Sequence, residues 1–278
     1  SVKSIFLDSG YFSSVVFSLL FEQEIKINRK KVIDKFLCIV DILLYNSHMN
    51  QFKTAWEFAF ANWKYFLMLI LPVAAVESLA AYMFLPLNDV TQPEDIANFF
   101  SDNSIAIILV FIMSTVLQIS LIGGMWVSYM AIDSGNTINP INALQAGLSK
   151  FFPLFGANII IGIVSAFGFI LLIIPGIYLT ARFSLFGAQI MFEDNKVFES
   201  IGASWEKTDQ YASKLFVYTL VFVSFIFFIA ILLTFTIPAG ILQTLLLAFI
   251  EYVFVIPLGY IYFTLYKSLK VSEDQLSK

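Results

Sequence analysis

Cysteine and histidine are almost missing from this chain of 278 residues, which has one of each, Cys38 and His48. A single cysteine excludes an intramolecular disulfide and a cysteine zinc site. A single histidine argues against a histidine metal site and against a Ser-His-Asp triad. The sequence also has no nucleotide-binding glycine loop, no metal-ligand spacing and no basic nucleic-acid patch. We therefore expect no enzyme activity, no cofactor, no metal and no nucleic-acid partner.

Charged residues are also scarce, at 13% of the chain, whereas hydrophobic residues reach 59% and the mean hydropathy is +0.84. Soluble domains are about 25% charged and about 45–50% apolar. The apolar excess falls into runs long enough to cross a bilayer, which takes about 20 residues per helix. The composition therefore predicts an all-α integral membrane bundle, and the runs give it six transmembrane helices.

The six predicted spans share a high apolar content and are separated by short polar or turn-forming segments. They run from Tyr65 to Pro86, Ile105 to Ile132, Phe152 to Ile174, Ile177 to Phe192, Leu215 to Ile237, and Ile241 to Tyr266. We expect a tight turn at Pro175-Gly176, because a helix running from 152 to 192 would be far longer than a bilayer is thick. Pro72 and Pro257 lie inside spans, where we expect them to kink the helix.

Lysine and arginine are distributed unequally between the connecting segments. The loop from Leu87 to Ser104 has neither, and the turns at 175–176 and 238–240 are uncharged. The other connections and the segments flanking the bundle carry the lysines: Lys53, Lys64, Lys150, Lys196, Lys207, Lys214, Lys267, Lys270 and Lys278. Because basic residues favour the cytoplasmic side, the pattern predicts that both termini lie in the cytoplasm.

An amphipathic stretch precedes each odd-numbered span. Apolar residues recur at helical spacing around Trp56, around Leu144 and around Ile201, with polar residues on the opposite face. We interpret this as a threefold repeat, in which each unit is a cytoplasmic interfacial helix followed by a transmembrane hairpin and Ala55, Ala143 and Ala203 are equivalent. The alternative is coincidence, since segments beside a membrane are often amphipathic.

Three ionisable residues fall inside the predicted spans: Glu77, Arg182 and Glu251. A charge there is costly, so such residues usually face the bundle and find a partner. One hypothesis is a buried network of Arg182 with the two glutamates that lines a polar cavity. The alternative is a structural ion pair that fixes helix packing, with the spare glutamate protonated. Three glutamines extend the candidate network or simply join helices: Gln118, Gln189 and Gln243.

The chain divides into a segment at 1–48, a six-helix membrane domain at 49–270 and a polar cytoplasmic tail at 271–278. Residues 1–48 differ from the rest, since their two apolar stretches are too short to span a membrane. One hypothesis is that Met49 is the natural start and that 1–48 is non-native or upstream sequence. The alternative is a basic cytoplasmic segment that lies on the membrane surface.

A family resemblance is carried by residues 173–211. A hydrophobic span ends in Pro175-Gly176, a short span follows, and Glu193-Asp194 precede an amphipathic segment from Phe198 to Thr208. This order resembles the YciC-type bacterial inner-membrane proteins, a family of uncharacterised function related to the membrane domain of some glycerophosphodiester phosphodiesterases. The resemblance implies a multi-pass plasma-membrane protein with a role near lipids or in envelope maintenance. It carries no phosphodiesterase activity over, because the chain has no such catalytic domain.

Two functions remain open at this point. The first is a non-enzymatic envelope- or lipid-associated module, whose partners are membrane lipids, other membrane proteins or further copies of the chain. The second is a transporter or channel for a small or amphipathic substrate that uses an intramembrane cavity lined by glutamate and arginine. A continuous polar cavity at Glu77, Arg182 and Glu251 favours the second, and a dry, Phe-packed bundle favours the first.

Overall fold

The computed structural model describes residues 46–90 and 92–276. Of the predicted segment 1–48, only positions 46–48 fall within this part of the chain, where they open the first helix, and the remainder lies outside it. The described residues form helices joined by short loops and contain no strand. Six stretches are long and apolar enough to cross a membrane, so the prediction of an all-α membrane bundle is confirmed.

Each span corresponds to one helix, except the fourth, which has two. The spans are α2 (Trp63–Phe84), α4 (Ser104–Asp133), α6 (Phe151–Leu171), α7 (Ile173–Arg182) with α8 (Phe186–Phe192), α10 (Ala212–Thr236) and α11 (Ile241–Leu276). The three amphipathic segments are also helical: α1 (Asn46–Ala61), α5 (Pro140–Ser149) and α9 (Val197–Lys207). The loop between spans one and two contains a further helix, α3 (Pro93–Asp102). Short 3-10 turns occupy Leu85–Asp89 and Asp209–Tyr211.

The turn between spans three and four lies earlier than predicted. The chain reverses at Leu172, which has extended backbone angles, and helix α7 starts at Ile173. Pro175 therefore sits in the first turn of α7, where its missing N–H would have no helical partner anyway. Gly176 lies against span three, because a Cβ there would come within 2.4 Å of the Phe169 ring. Pro175-Gly176 thus starts a helix and lets it approach its neighbour, and the prediction that this pair forms the turn is wrong.

The six spans form a closed ring. Each span packs against the next one in the sequence, and span six returns to pack against span one. An even number of spans puts both ends of the described chain on one face, which also holds the loops at 134–139 and 193–211. We call this the basic face, because it carries the lysines of the loops. The opposite face, with the loops at 85–103, 172 and 237–240, is the hairpin face.

The interfacial helices pack mainly on hairpins other than those that follow them, although Phe58 of α1 also contacts Phe66 of span one at 5.9 Å. Helix α5 packs on spans one and two, and α9 packs on spans three and four. Helix α1 packs on spans five and six, with Trp56 against Phe222 at 5.9 Å and against Phe254 at 5.4 Å between ring centroids. Each interfacial helix therefore packs mainly on the hairpin that precedes it around the ring. For α1, which comes first in the sequence, this is the last hairpin, spans five and six. This arrangement supports the threefold repeat.

Small residues let the interfacial helices approach the spans closely. A Cβ on Gly147 of α5 would lie 2.0 Å from the Ser120 carbonyl oxygen of span two. Ala143, one turn earlier, is fully buried, as is Ser200 at the corresponding place in α9. Ala203, the residue predicted to be equivalent to Ala143, is only partly buried. Ser200, and not Ala203, is therefore the residue of α9 that is equivalent to Ala143. The predicted alignment of the repeat is wrong by three residues.

Candidate functional site

The three ionisable residues of the spans occupy two separate places. Glu77 and Glu251 lie near the middle of the bundle, on spans one and six, and Arg182 lies at the end of α7. The side chain of Arg182 is directed to the basic face, where it meets neither glutamate. The predicted network of Arg182 with the two glutamates is therefore wrong.

Four side chains make up the mid-membrane cluster: Glu77, Gln118, Glu251 and Tyr252. The Oε1 atom of Glu77 accepts hydrogen bonds from Gln118 Nε2 at 2.9 Å and from the Tyr252 hydroxyl at 2.7 Å. Glu251 directly precedes Tyr252 in α11 and brings a second carboxyl group to the cluster. The cluster thus joins spans one, two and six through a single carboxylate oxygen, with a second carboxyl beside it.

Hydroxyl groups surround the cluster on its hairpin side. The Ser78 and Thr244 hydroxyls are 2.9 Å apart and link spans one and six. Ser114 lies one helical turn from Gln118 on the same face of α4 and is only 6% exposed. Its Oγ has no hydrogen-bond partner among the described residues. An orphaned polar group of this kind in a membrane span is a place where a ligand could contribute the missing bond.

Arg182 is held by the segment that follows α9. It is 1% exposed, pairs with Asp209 at 2.7 Å and donates to the Trp205 carbonyl oxygen at 2.6 Å. Its guanidinium also lies 4.2 Å from the centre of the Trp205 ring, a favourable cation–π distance. The expectation that an arginine in a span needs a carboxylate partner is confirmed, but the partner is Asp209. The sequence did not reveal this partner, because span four was predicted as one continuous span and the structure breaks it directly after Arg182.

The break in span four, at residues 183–185, is stabilised by α9. The Ser204 hydroxyl donates to the Arg182 carbonyl oxygen and accepts from the Leu185 N–H, each at 3.0 Å. Thr208 adds a second bond to the same carbonyl at 2.9 Å. These two side chains replace the bonds that an unbroken helix would have made. The interfacial helix α9 is therefore part of span four's structure.

The remaining two glutamines of the predicted network serve local structure. Gln243 donates to the Ile237 carbonyl oxygen at 2.8 Å and so closes the turn between spans five and six. Gln189 is buried in α8 and accepts from Asn195 at 3.1 Å. Of the six residues predicted to form one network, the structure brings together Glu77, Gln118 and Glu251.

Ion pairs cover the basic face and were not predicted. Lys267 pairs with Asp133 and Lys270 with Glu193, both at 2.5 Å. Lys207 pairs with Glu273 at 3.0 Å, and Lys150 pairs with Asp194. Three of these pairs use the end of α11, which is 36 residues or about 54 Å long and therefore extends well beyond a bilayer of about 30 Å. The extension of α11 past Tyr266 was the sequence signal that could have revealed these ion pairs.

Lysine partners lower the pKa of two carboxyl groups on this face, those of Glu193 and Asp194. The hydrogen bond from Lys270, followed by that from Tyr266, lowers the pKa of Glu193 below its usual value. Lys150 lowers the pKa of Asp194 in the same way. Both carboxylates are therefore held in the charged form at neutral pH, and the loop between spans four and five is tied to α11 and to α5.

The two halves of the bundle differ in how tightly they close. In the basic half, rings fill the space between the spans, with Phe58 stacked on Tyr260 at 3.7 Å between centroids. In the hairpin half, span five has no buried residue from 223 to 236, four turns of helix that point in every direction. Even the side chains that turn towards the core there, Phe225, Ile226 and Ile229, stay partly exposed. The bundle is therefore packed more tightly on the basic side, where aromatic rings fill it, than along span five on the hairpin side.

Within residues 46–90 and 92–276, no three His, Cys, Asp or Glu side chains lie close enough together to hold a metal ion. The chain matches no family model, no curated protein and no solved structure.

Proposed function

We propose that this protein is a non-enzymatic, lipid-associated module of the bacterial plasma membrane, in which the loosely packed hairpin half receives the acyl chain of a lipid or another amphipathic molecule. The observation that carries this proposal is the incomplete burial of the inner face of span five at Phe225, Ile226 and Ile229, which pack on the core but stay partly exposed. These side chains are apolar, so water is an unfavourable occupant and a hydrocarbon chain a favourable one. The lysines of the basic face support an orientation with both termini in the cytoplasm.

The resemblance to the YciC-type family supports the same conclusion, because it points to a role near lipids or in envelope maintenance. Of the residues that carry the resemblance, Pro175-Gly176 lies in the first turn of α7, and Ser204 belongs to α9. Ser204 and Thr208, which lie in this segment, stabilise the break in span four.

Photo-crosslinking in nanodiscs tests the lipid-binding proposal. The full chain would be reconstituted with a phospholipid that carries a diazirine in its acyl chain, and crosslinked residues would be mapped by mass spectrometry. We expect labelling at the inward-facing Phe225 and Ile229 as well as at the outward-facing Phe228 and Phe235. Labelling confined to the outward pair would mean that lipid does not enter the bundle and would overturn the proposal.

Loss of the gene tests the role in the cell. We expect deletion to change the lipid composition of the envelope or its resistance to detergent, and restoration of the full chain to reverse the change. Unchanged composition and integrity on deletion would count against a lipid-associated role.

A transporter is the second candidate, and the mid-membrane cluster is the observation that favours it. Polar groups at half depth commonly mark substrate pathways in membrane proteins. Passage would require the aromatic packing around Phe58 and Tyr260 to open, since it closes the basic half. Uptake of a labelled amphiphile into sealed proteoliposomes, beyond that of protein-free vesicles, would establish transport, whereas binding without uptake supports the module.

A further inference from the structure

We infer that the outer face of α1 binds the headgroup of a zwitterionic phospholipid with a primary ammonium group, such as phosphatidylethanolamine, with Lys53 on its phosphate and Glu57 on its ammonium group. The site lies at the basic face and is therefore separate from the hairpin half. It rests on the proposed function only for the association with lipid, and it adds which headgroup is selected. A groove on α1 and the ion pair at its edge carry this inference.

The groove on α1 is shallow and has a volume of about 660 Å³. It is lined by three rings and two charged side chains: Phe52, Trp56, Phe60, Lys53 and Glu57. The rings recur every four residues and so form one stripe along the helix. Each charged residue follows a ring by one position and lies on the neighbouring stripe. The groove is therefore apolar along one side and charged along the other, like a phospholipid where its headgroup joins its chains.

The position of α1 places the groove at the level of the lipid headgroups. Helix α1 ends at Ala61, and span one begins two residues later at Trp63. Phe60 and Trp63 are both more than half exposed, and large rings of this kind are enriched where the membrane meets water. On its inner side, Trp56 stacks on Phe222 of span five at 5.9 Å between ring centroids. The groove is thus fixed to the bundle at the depth where a headgroup would meet it.

Lys53 and Glu57 keep most of their hydrogen-bonding capacity. The Lys53 Nζ and Glu57 Oε1 atoms are 3.7 Å apart, which is close enough for an ion pair but too long for a hydrogen bond. The two side chains are 71% and 64% exposed, and neither has a second ion pair among residues 46–90 and 92–276. An exposed pair at this spacing adds little to stability, so a ligand can replace it at small cost.

The two charges together select the headgroup. The Lys53 ammonium has only donors, which a phosphate accepts, and the Glu57 carboxylate has only acceptors, which the N–H groups of a primary ammonium satisfy. Phosphatidylcholine carries both charges, but its fully methylated nitrogen has no N–H to donate to Glu57. Phosphatidylglycerol has the phosphate without a cation, so Glu57 would repel it. The ethanolamine headgroup alone among these three satisfies both side chains.

Native mass spectrometry of the full chain, released from detergent micelles, measures the affinity for each lipid. The probes are dioleoyl phosphatidylethanolamine, dioleoyl phosphatidylcholine and dioleoyl phosphatidylglycerol, which share their acyl chains and differ only in the headgroup. We expect the ethanolamine lipid to bind about threefold to tenfold more tightly than the other two, as for one additional hydrogen bond.

Two substitutions in the groove test the role of each charge. Glu57→Gln should abolish the preference for the ethanolamine lipid and raise the affinity for the glycerol lipid, because Lys53 is left without a competing carboxylate. Lys53→Gln should weaken the binding of all three lipids, because each carries a phosphate. Lys64→Gln and Glu206→Gln are the matched controls, since both residues are exposed and neither lines the groove. Both controls should leave the order of affinities unchanged.

Three results would overturn the site. The first is tightest binding of the glycerol lipid by the unchanged protein, which would mean that the face recognises only negative charge. The second is equal affinity for the three lipids, or a preference that survives Glu57→Gln. The third is an equal effect of Lys64→Gln and Lys53→Gln, which would assign the binding to general surface charge. None of these results changes the labelling expected at Phe225, so the acyl-chain proposal is tested separately. Lys53 and Glu57 are exposed, so both variants should fold.

Discussion

The basic half and the hairpin half of the bundle are made from the same six spans, yet they use their apolar residues differently. In the basic half, Phe66, Tyr129 and Phe263 are fully buried against one another. In the hairpin half, equally apolar residues stay accessible on every side of span five. The three interfacial helices account for the difference, because they pack on the spans only at the basic face. Hydropathy alone therefore does not distinguish a packed segment from an open one in a membrane.

Truncation of one aromatic ring in each half tests this comparison most strongly. Phe222 and Phe235 lie on the same helix, α10, but Phe222 is 0% exposed and Phe235 is 84% exposed. We expect Phe222→Ala to lower the free energy of unfolding by about 3 kcal/mol or more, because it leaves a cavity beside Trp56 and Phe254. Phe235→Ala should change it by less than about 0.5 kcal/mol. Denaturation in detergent micelles measures both, and similar losses would contradict the difference in packing.

Adding a methyl group at two glycines tests how closely the interfacial helices approach the bundle. In Gly147→Ala the new Cβ would lie 2.0 Å from the Ser120 carbonyl oxygen, and both helices would have to separate. We expect a loss of about 2–3 kcal/mol or more. Gly202→Ala on α9 meets nothing within 4 Å and should gain up to about 1 kcal/mol from helix propensity. Thermal unfolding measures both variants, and equal midpoints would rule out the tight contact of α5 with span two.

The hydroxyl groups of α9 allow a finer test, within the basic half itself. Ser200 and Ser204 are both fully buried and one turn apart, but only Ser204 bonds to the break in span four. We expect Ser204→Ala to cost about 1–2 kcal/mol, because the Leu185 N–H loses its acceptor in a buried place. Ser200→Ala should cost less, since its hydroxyl bonds only within its own helix. The rate of amide hydrogen exchange at residues 183–186 should rise in Ser204→Ala alone. No rise would mean that α9 does not stabilise the break.

The smallest expected effect is the pH dependence of the basic face. The pKa of Glu193 is lowered in the folded protein, so its contribution to stability is present above its usual pKa of about 4.5 and is lost as the pH falls through the lowered value. We expect Glu193→Gln to reduce stability by no more than about 1 kcal/mol at pH 7 and to flatten the loss below pH 4.5. Glu206→Gln is the control. An acid profile of Glu193→Gln that matches the unchanged protein would show that the Lys270 pair adds nothing.

The six spans could be predicted from the sequence, because each one is an apolar run of bilayer length. It was also sufficient for the three interfacial helices, and for the place of Glu77, Gln118 and Glu251 inside the bundle. Helix α3 was missed, although Pro93 followed by Glu94 and Asp95 is a typical helix start.

The errors have a common physical cause, which is that short-range signals were read without their tertiary partners. Pro175 marks the beginning of a helix as well as it marks a turn, and only the packing of Gly176 on Phe169 decides between them. Arg182 was placed inside one continuous span, but Ser204 and Thr208 let the chain break directly after it. Which residues satisfy a broken backbone depends on a distant segment, and spacing along the sequence does not contain that information.

The circular exchange of the interfacial helices has a consequence for how the protein is made. Helix α1 is the first of these elements to leave the ribosome, but its partners, spans five and six, are the last. During synthesis α1 must therefore wait at the membrane surface while two complete hairpins are inserted, and the ring closes only when α11 has been released. Because α1 and the end of α11 share one face, a circular permutant that begins at α2 and carries α1 after α11 would let every interfacial helix meet its partner on emergence.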